Sequence, residues 1–407
     1  MGTNIKRLPY GNSNFGSIMT ENYAYVDKTR FIELLENESN KNQFFIRPRK
    51  FGKSLFYSML YHYYDLNRAD DFDTIFGDLY IGKHPTPKRN SYAVMQFNFS
   101  GLNTASREGF SDSLTASIRE SVRMFTDCYR AYFHEADVLI RKIDEAKHGS
   151  EILQIAYGAA QSAKIKLLVL IDEYDHFAND LIAMGKYMGE EVYKSMVAAN
   201  GLVRDFYETL KIGTSTVVDR IFITGISPVM LNDLTSGFNI ADNLTLELQY
   251  NEMMGFTQEE VNALMIETGV DPACINVDME LYYNGYLFHR DGKNRVYNPS
   301  MILYFFNRIL KEGRPPENII DENLRTDYGR IRNLVQNERN REKLLKIVKD
   351  NGIESDIVRQ FSIDRMYDDE YFVSLLVYMG LLTIDKFERG SLRLKIPNYS
   401  IQTLCWE

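Results

Sequence analysis

The sequence predicts an α/β fold, a mostly parallel β-sheet held between helices, on three observations. Residues 43–54, Gln-Phe-Phe-Ile-Arg-Pro-Arg-Lys-Phe-Gly-Lys-Ser, form a short apolar run leading into a glycine-lysine-serine turn. Residues 166–175, Lys-Leu-Leu-Val-Leu-Ile-Asp-Glu-Tyr-Asp, form an unbroken apolar run ending in adjacent carboxylates. A run of that length without alternation suits a parallel strand buried on both faces. β-like and helical stretches also alternate through the first two-thirds of the chain, the pattern of strand–helix–strand units with right-handed crossovers.

The first strand, residues 43–46, enters a loop that nearly fits the phosphate-binding pattern G-x-x-x-x-G-K-[ST]. Gly52, Lys53 and Ser54 match, whereas Arg47, followed by Pro48, stands where the first glycine belongs. The chemistry calls for these residue types. Glycine lets the backbone approach a phosphate, and the amides that follow point at it from a helix N-terminus. Lysine neutralises β/γ-phosphate charge and the serine hydroxyl ligates Mg²⁺. On this reading Arg49, Lys50, Phe51, Gly52, Lys53, Ser54 and Leu55 contact the nucleotide, and residues 55–66 are the helix that the loop opens. A Gly-Lys-Ser turn before a helix also arises structurally, so the loop alone leaves both readings open.

A second strand is expected over residues 93–100, with helices over 109–133, 135–147 and 150–164. The third strand, residues 166–173, brings Asp172 and Glu173 to its C-terminal edge, where open α/β sheets bind ligands. Asp172 would hold Mg²⁺ directly or through water, and Glu173 would polarise the attacking water. A core strand ending in a solvated acidic turn is the plain alternative, and the loop near residue 50 weighs against it. A helix over 189–211 and strands over 220–227 and 244–250 complete this half. A strand lies between loop and carboxylates in the chain, and Glu173 sits beside Asp172. Both point to a P-loop NTPase αβα sandwich with an added strand and a catalytic glutamate.

Beyond residue 250 the texture changes. Thr257-Gln-Glu-Glu260 is a capping box that opens a helix to about residue 268. Asn298-Pro-Ser opens another over 301–311, and Gly313-Arg-Pro-Pro316 is a linker-like break. Helices follow at 328–350 and 368–379, then two short strands flanking Gly390-Ser. Helix, strand, turn, strand outlines a winged-helix-like end. The expected division is therefore a core over 1–250, a helical lid-like region over 251–316 and a winged-helix-like domain over 317–407.

Composition narrows the function. The 407 residues are 44% hydrophobic, enough for a large core and more than one domain. A net charge of −9 argues against a surface devoted to coating nucleic acid, without excluding a local basic patch. Cys128, Cys274 and Cys405 lack metal-type spacing, and the six histidines form no metal-spaced pair. No apolar stretch is long enough to cross a bilayer, and the first residues lack the apolar core of a secretory signal. Lys6 stands where a myristoylation signal needs Ser or Thr. A cytoplasmic protein is expected.

Other residues carry two readings each. Thr224 and Ser227, at the end of the strand beside the carboxylates, are γ-phosphate sensors or a polar strand exit. Arg47, Arg49 and Lys50 touch phosphate or form a solvated basic turn. Asp27 and Lys28 cap a helix or pair on the surface; Arg220 is an arginine finger or a surface cation. Phe56, Tyr57, Tyr61, Tyr63 and Tyr64 look like core on a helix face rather than base-stacking platforms.

Several segments in order resemble one family. Leu8-Pro-Tyr-Gly-Asn-Ser-Asn-Phe15, Tyr25-Val-Asp-Lys-Thr29, Arg47-Pro-Arg-Lys-Phe-Gly-Lys-Ser54 and Asp172-Glu-Tyr-Asp175 resemble the AAA-ATPase-like domain of Bacteroidetes-type bacterial proteins. So do Thr224-Gly-Ile-Ser227, Gly255-Phe-Thr-Gln-Glu-Glu260, Tyr297-Asn-Pro299 and Ile396-Pro-Asn398. The resemblance implies ATP and Mg²⁺ as ligands. It also implies a PD-(D/E)xK nuclease-like domain after the Ile-Pro-Asn segment, for which this sequence shows no Asp…Glu-x-Lys strand pair.

The leading expectation is a Mg²⁺-dependent ATPase that drives an attached or partner effector, with Glu173, Lys53 and Thr224 catalytic and Ser54 and Asp172 at the metal. One alternative is a nucleotide-binding switch that hydrolyses negligibly because Arg47 replaces glycine. Another is a DNA-binding module acting through the winged-helix-like end. The sequence leaves oligomeric state and the choice of partner open.

Overall fold

The computed structural model describes residues 5–178, 201–229, 238–328, 335, 337–359, 368–388 and 390–406. Five strands, β1 (Asn42–Ile46), β2 (Ala93–Asn98), β3 (Leu167–Asp172), β4 (Val218–Gly225) and β5 (Asp242–Asn243), form one sheet in the order β2-β3-β4-β1-β5. Every neighbouring pair in it is parallel. All six residues of β3 are buried, which requires cover on both faces. The predicted unbroken apolar strand is therefore confirmed.

The added strand is present, and the sheet order shows which strand it is. In the chain β2 lies between loop and carboxylates, yet in the sheet β2 is at the edge. It is β4 that separates the loop strand β1 from the carboxylate strand β3, pairing Phe45 with Thr224 and Ile171 with Ile223. Crossover helices allow sequence neighbours to be placed apart in the sheet.

The strand expected over 244–250 is absent: only Asp242 and Asn243, just before it, pair with β1, and Leu248–Tyr250 form a 3₁₀ turn. The ladder stops because side chains take its polar groups. Ile46 N–H donates to Thr245 Oγ1 at 3.2 Å, and the Thr245 carbonyl accepts from Arg47 at 2.6 Å.

Helices of the core are α1 (Phe15–Thr20), α2 (Arg30–Asn37), α3 (Lys53–Tyr64), α4 (Phe72–Phe76), α5 (Tyr80–Lys83), α6 (Arg107–Cys128), α7 (Ala136–Glu145), α8 (Gly149–Ser162) and α9 (Leu202–Thr214). Helix α3, opened by the loop, packs on β2, β3 and β4; α6 packs on β2 and α9 on β4, with α8 against both helices. The predicted helix start near residue 189 lies outside the described residues.

The capping box is present. Thr257 Oγ1 accepts from Glu260 N–H and Glu260 Oε2 accepts from Thr257 N–H, opening α10 (Gln258–Thr268). A short α11 (Met279–Tyr283) precedes α12 (Pro299–Glu312), capped by Asn298 Oδ1 and ended at Gly313 with φ +69°. After α13 (Glu322–Tyr328), the helix expected over 328–350 is observed as α14 (Glu338–Asp350), with residues 329–334 and 336 outside the described ones. Next come β6 (Ile353–Glu354), α15 (Asp369–Tyr378), β7 (Thr383–Glu388), β8 (Ser391–Lys395) and α16 (Tyr399–Trp406). The three strands form an antiparallel sheet ordered β6-β8-β7, so helix, strand, turn and strand occur in the predicted order.

Candidate functional site

The loop between β1 and α3 begins with a departure from the standard pattern and resolves it in an unexpected way. Arg47 is 1% exposed and turns into the protein. Its guanidinium donates to the carbonyls of Ile46 (3.1 Å), Thr245 (2.6 Å) and Tyr250 (2.8 Å). It lies 4.2 Å from the Phe45 ring centre and 3.9 Å from that of Phe288. Burial pushes its guanidinium well below the usual range. Arg47 is thus neither a phosphate contact nor part of a solvated turn, correcting both readings: it staples the loop to the segment after β5.

The rest of the loop is also anchored from downstream. Phe51 is buried, edge-on to Tyr286 and Phe288, so its backbone rather than its ring serves the loop. The Lys50 carbonyl accepts from Ser300 N–H at 3.4 Å and Ser300 Oγ–H at 3.0 Å. Gly52 has φ +90° and no atom within 4 Å of where a Cβ would sit, so backbone conformation rather than crowding requires glycine there. As N-cap of α3 it supplies no side-chain acceptor, leaving first-turn amides of α3 for an anion.

Lys53 and Ser54 follow at the helix start. Lys53 is 8% exposed, and its Nζ donates to the carbonyls of Arg47 and Pro48, each at 3.0 Å. Burial pushes the ammonium down to about 8, while Asp172, Asp175 and Glu173 pull the other way. Ser54 Oγ–H donates to Asp172 Oδ2 at 2.8 Å, joining the loop to the edge of β3. Burial raises the Asp172 carboxyl, against the Ser54 hydrogen bond and Lys53.

Glu173 takes a left-handed φ of +53°, and its N–H donates to Asp172 Oδ1 at 2.9 Å. That bend turns the chain sharply at the sheet edge. His176 Nδ1 lies 2.8 Å from Glu173 Oε2, and this contact holds the carboxyl below its ordinary range. Asp175, which the sequence singled out only as part of Asp-Glu-Tyr-Asp, accepts from the N–H groups of Ile226 and Ser227 and from Ser227 Oγ–H. Ser227 is therefore engaged in fixing the ends of β3 and β4 together. A Cβ on Gly225 would sit 2.3 Å from Asp175 Oδ1, so glycine permits this close approach. Thr224 is wholly buried, and its Oγ1 has no hydrogen-bond partner among the described residues.

Arg49, Lys50, Phe51, Gly52, Lys53, Ser54, Leu55 and Glu173 all line one cavity of about 380 Å³. Pro9, Val26, Met253, Met254, Phe256 and Leu303 give it apolar lining as well. Cationic and apolar lining together suit a phosphate ester carrying a flat ring. Sequence reasoning missed this apolar lining. The Leu8–Phe15 and Gly255-Phe256 segments carried a resemblance but no chemistry that marked them as lining.

Three further candidates are held by structural contacts. Asp27 accepts from Thr29 N–H, Thr29 Oγ1–H and Tyr80 N–H. Lys28 is buried, donates to both Glu260 carboxylate oxygens at 2.6 and 2.7 Å and to the Glu252 carbonyl, and lines the cavity. The capping glutamate thus also neutralises a buried lysine. Arg220 is 5% exposed and donates to the Leu35 carbonyl at 2.9 Å, which excludes both the finger and the surface role assigned from sequence. Phe56, Tyr63 and Tyr64 are core, but Tyr57 and Tyr61 are only half-buried and line a separate cleft.

The Ser54 hydroxyl and Asp172 carboxylate present hard oxygen donors, the chemistry Mg²⁺ prefers beside substrate phosphates. Among the described residues no group of three or more His, Cys, Asp or Glu could hold a metal by itself, and no helix is long and apolar enough to cross a membrane.

The family described as "Predicted AAA-ATPase" matches residues 9–235. The chain is 25% identical over 312 residues to an "uncharacterized protein in vnfD 5'region" of Azotobacter chroococcum mcd 1. That match covers 76% of this chain, which spans about half, 53%, of the relative's length. Among solved structures, it is similar to the Walker-type ATPase PABY2304 of Pyrococcus abyssi, with 14% identity, 93% and 95% coverage of the two chains, and a TM-score of 0.48. The Orc1 protein of Aeropyrum pernix in complex with DNA shares 9% identity, with 93% and 91% coverage and a TM-score of 0.33. The family match covers more than half of the chain and contains the loop, both carboxylates and Thr224. The protein belongs to the predicted AAA-ATPase family.

Proposed function

We propose that the chain binds Mg-ATP in the cavity beside the loop and hydrolyses it to control the conformation of an attached or partner effector. The observation that carries the reading is the convergence of Lys53, the Ser54–Asp172 pair and Glu173 at the C-terminal edge of one parallel sheet. Lys53 would exchange the Arg47 and Pro48 carbonyls for phosphate oxygens. Ser54 and Asp172 would hold Mg²⁺, which when bound neutralises charge on the phosphates. Glu173 would orient and deprotonate water, and Thr224, whose buried hydroxyl has no partner among the described residues, would turn to sense the γ-phosphate. Catalysis of this kind is positioning and electrostatics rather than covalent chemistry.

Coupling to an effector has a physical route. Tyr286, Phe288 and Ser300 hold the loop, and they belong to the segment joining the core to the C-terminal sheet. The division into a core over 1–250, a lid-like region over 251–316 and a winged-helix-like domain over 317–407 forms part of this proposal. A rearrangement of the loop would move the second region against the first as a rigid body.

Turnover by site variants tests the reading. Glu173→Gln is expected to keep Mg-ATP affinity and lose about 10²-fold in turnover, the scale of general-base assistance. Asp172→Ala is expected to weaken binding only when Mg²⁺ is supplied. Unchanged turnover in Glu173→Gln would favour a switch that binds without hydrolysing.

The depressed Lys53 value gives a pH dependence. Only the protonated ammonium attracts phosphate, so Mg-ATP affinity is expected to hold at neutral pH and fall as pH rises through about 8. Titrating affinity from acid to alkaline pH checks this, with Lys53→Arg as a cation that stays charged throughout. A flat wild-type profile would count against phosphate contact by Lys53.

A further inference from the structure

We propose that a second cleft, on the far side of the Ser54–Asp172 pair, binds a neutral, polyhydroxylated small molecule of sugar or nucleoside size. The placement of that ligand against the γ-phosphate end rests on the nucleotide reading above; the cleft itself does not.

The cleft has a volume of about 650 Å³ and meets the nucleotide cavity at Ser13 and Ser54. Its floor is one face of α3, where Ser54, Tyr57, Ser58, Tyr61 and His62 recur at intervals of three and four. These are the aromatic positions that the sequence assigned to core, and Tyr57 and Tyr61 are only half-buried. Gln96 and Asn98 of β2 also line it, Asn98 paired in register with Asp172. Hydroxyls and amides that both donate and accept, set beside aromatic rings, match the alternating O–H and C–H surface of a sugar ring.

Charge decides the ligand class. Arg68 is offset by Asp65 at 3.5 Å and Asp71 at 3.9 Å, and on the nucleotide reading the charge of Asp172 would be taken up by Mg²⁺. An ionic ligand would find its counter-charges already committed. His62, 7% exposed, shows the cleft little surface, and its buried Nδ1 has no hydrogen-bond partner among the described residues. Burial pushes its imidazole down to about 4, so it contributes a neutral ring near pH 7. A Cβ on Gly16 would come within 2.5 Å of His62 Cε1 and 2.8 Å of Nε2, so glycine is what lets α1 close on this ring without a side chain covering it.

The test uses the full chain with D-glucose, myo-inositol and adenosine as neutral probes, followed by calorimetry and saturation-transfer NMR in the presence of Mg-ADP. Glucose 6-phosphate and glucosamine are the charged comparators. Thr74→Trp narrows the cleft from its exposed rim on α4 without touching the core. At least one neutral probe is expected to bind saturably, with affinity about 10-fold or more lower for Thr74→Trp and for the charged comparators. Mg-ATP affinity should be the same in Thr74→Trp as in wild type. Glucose or inositol binding identifies a sugar-like ligand, and adenosine binding that persists with Mg-ADP identifies a nucleoside. The proposal is overturned if no neutral probe binds, if binding ignores Thr74→Trp, or if charged comparators bind more tightly. Should a probe bind in a Thr74-dependent way while Mg-ATP does not bind at all, the nucleotide reading fails and the cleft assignment stands.

Discussion

Arg47→Gly, which recreates the standard loop glycine, is expected to destabilise the protein by about 2–4 kcal/mol rather than improve nucleotide binding. The reason lies in what the guanidinium satisfies. Its loss strands the buried Thr245 and Tyr250 carbonyls and opens the space between Phe45 and Phe288. Relief from desolvating an arginine offsets part of that cost, which is why the figure stays below the sum for the separate hydrogen bonds. Denaturant unfolding of the wild type, Arg47→Gly and Arg47→Met measures it. Methionine retains volume and should recover only the packing share. Wild-type stability in Arg47→Gly, or tighter Mg-ATP binding, would show that the arginine is not the loop's anchor.

Lys53→Ala is expected to weaken Mg-ATP by about 2–4 kcal/mol, or roughly 30- to 1000-fold in Kd. A charge-assisted contact made out of water is worth more than its exposed counterpart, and Lys53 is almost fully buried. The variant also loses two buried hydrogen bonds, to the Arg47 and Pro48 carbonyls, so its fold is checked by denaturant unfolding before binding is read. Calorimetry on folded protein therefore separates this variant from Arg47→Gly. Wild type that gives no heat with millimolar nucleotide would remove the basis of the ATPase proposal, and affinity unchanged in Lys53→Ala would move the phosphates elsewhere in the cavity.

The two arginines of the region show where sequence reasoning stopped. Arg47 sits in a loop otherwise rich in charge, and Arg220 begins a predicted strand after an acidic residue. Both patterns read as solvent-facing. Both side chains are buried, because each can reach main-chain carbonyls left unpaired by an irregular neighbour, the stretch after β5 for Arg47 and the end of α2 for Arg220. An unpaired carbonyl leaves no trace in the identity of the residue that carries it.

Periodicity and local chemistry, by contrast, survive without any tertiary context. The unbroken apolar run of β3, the Gly-Lys-Ser start of α3, the Thr257–Glu260 capping box and the Asn298-Pro299 helix start each depend on residues close in sequence, and each was legible there. Sequence by itself determined the sheet class, the loop, the carboxylates and the family resemblance. Tertiary structure alone decided that β4 separates loop from carboxylates, that Asp175 ties the ends of β3 and β4, and that segments near residues 9, 255 and 303 wall one cavity. The physical reason is range. Helix caps and strand patterns are set by neighbours a few positions apart, whereas a cavity and a buried cation are set by which distant groups packing brings within 3–4 Å.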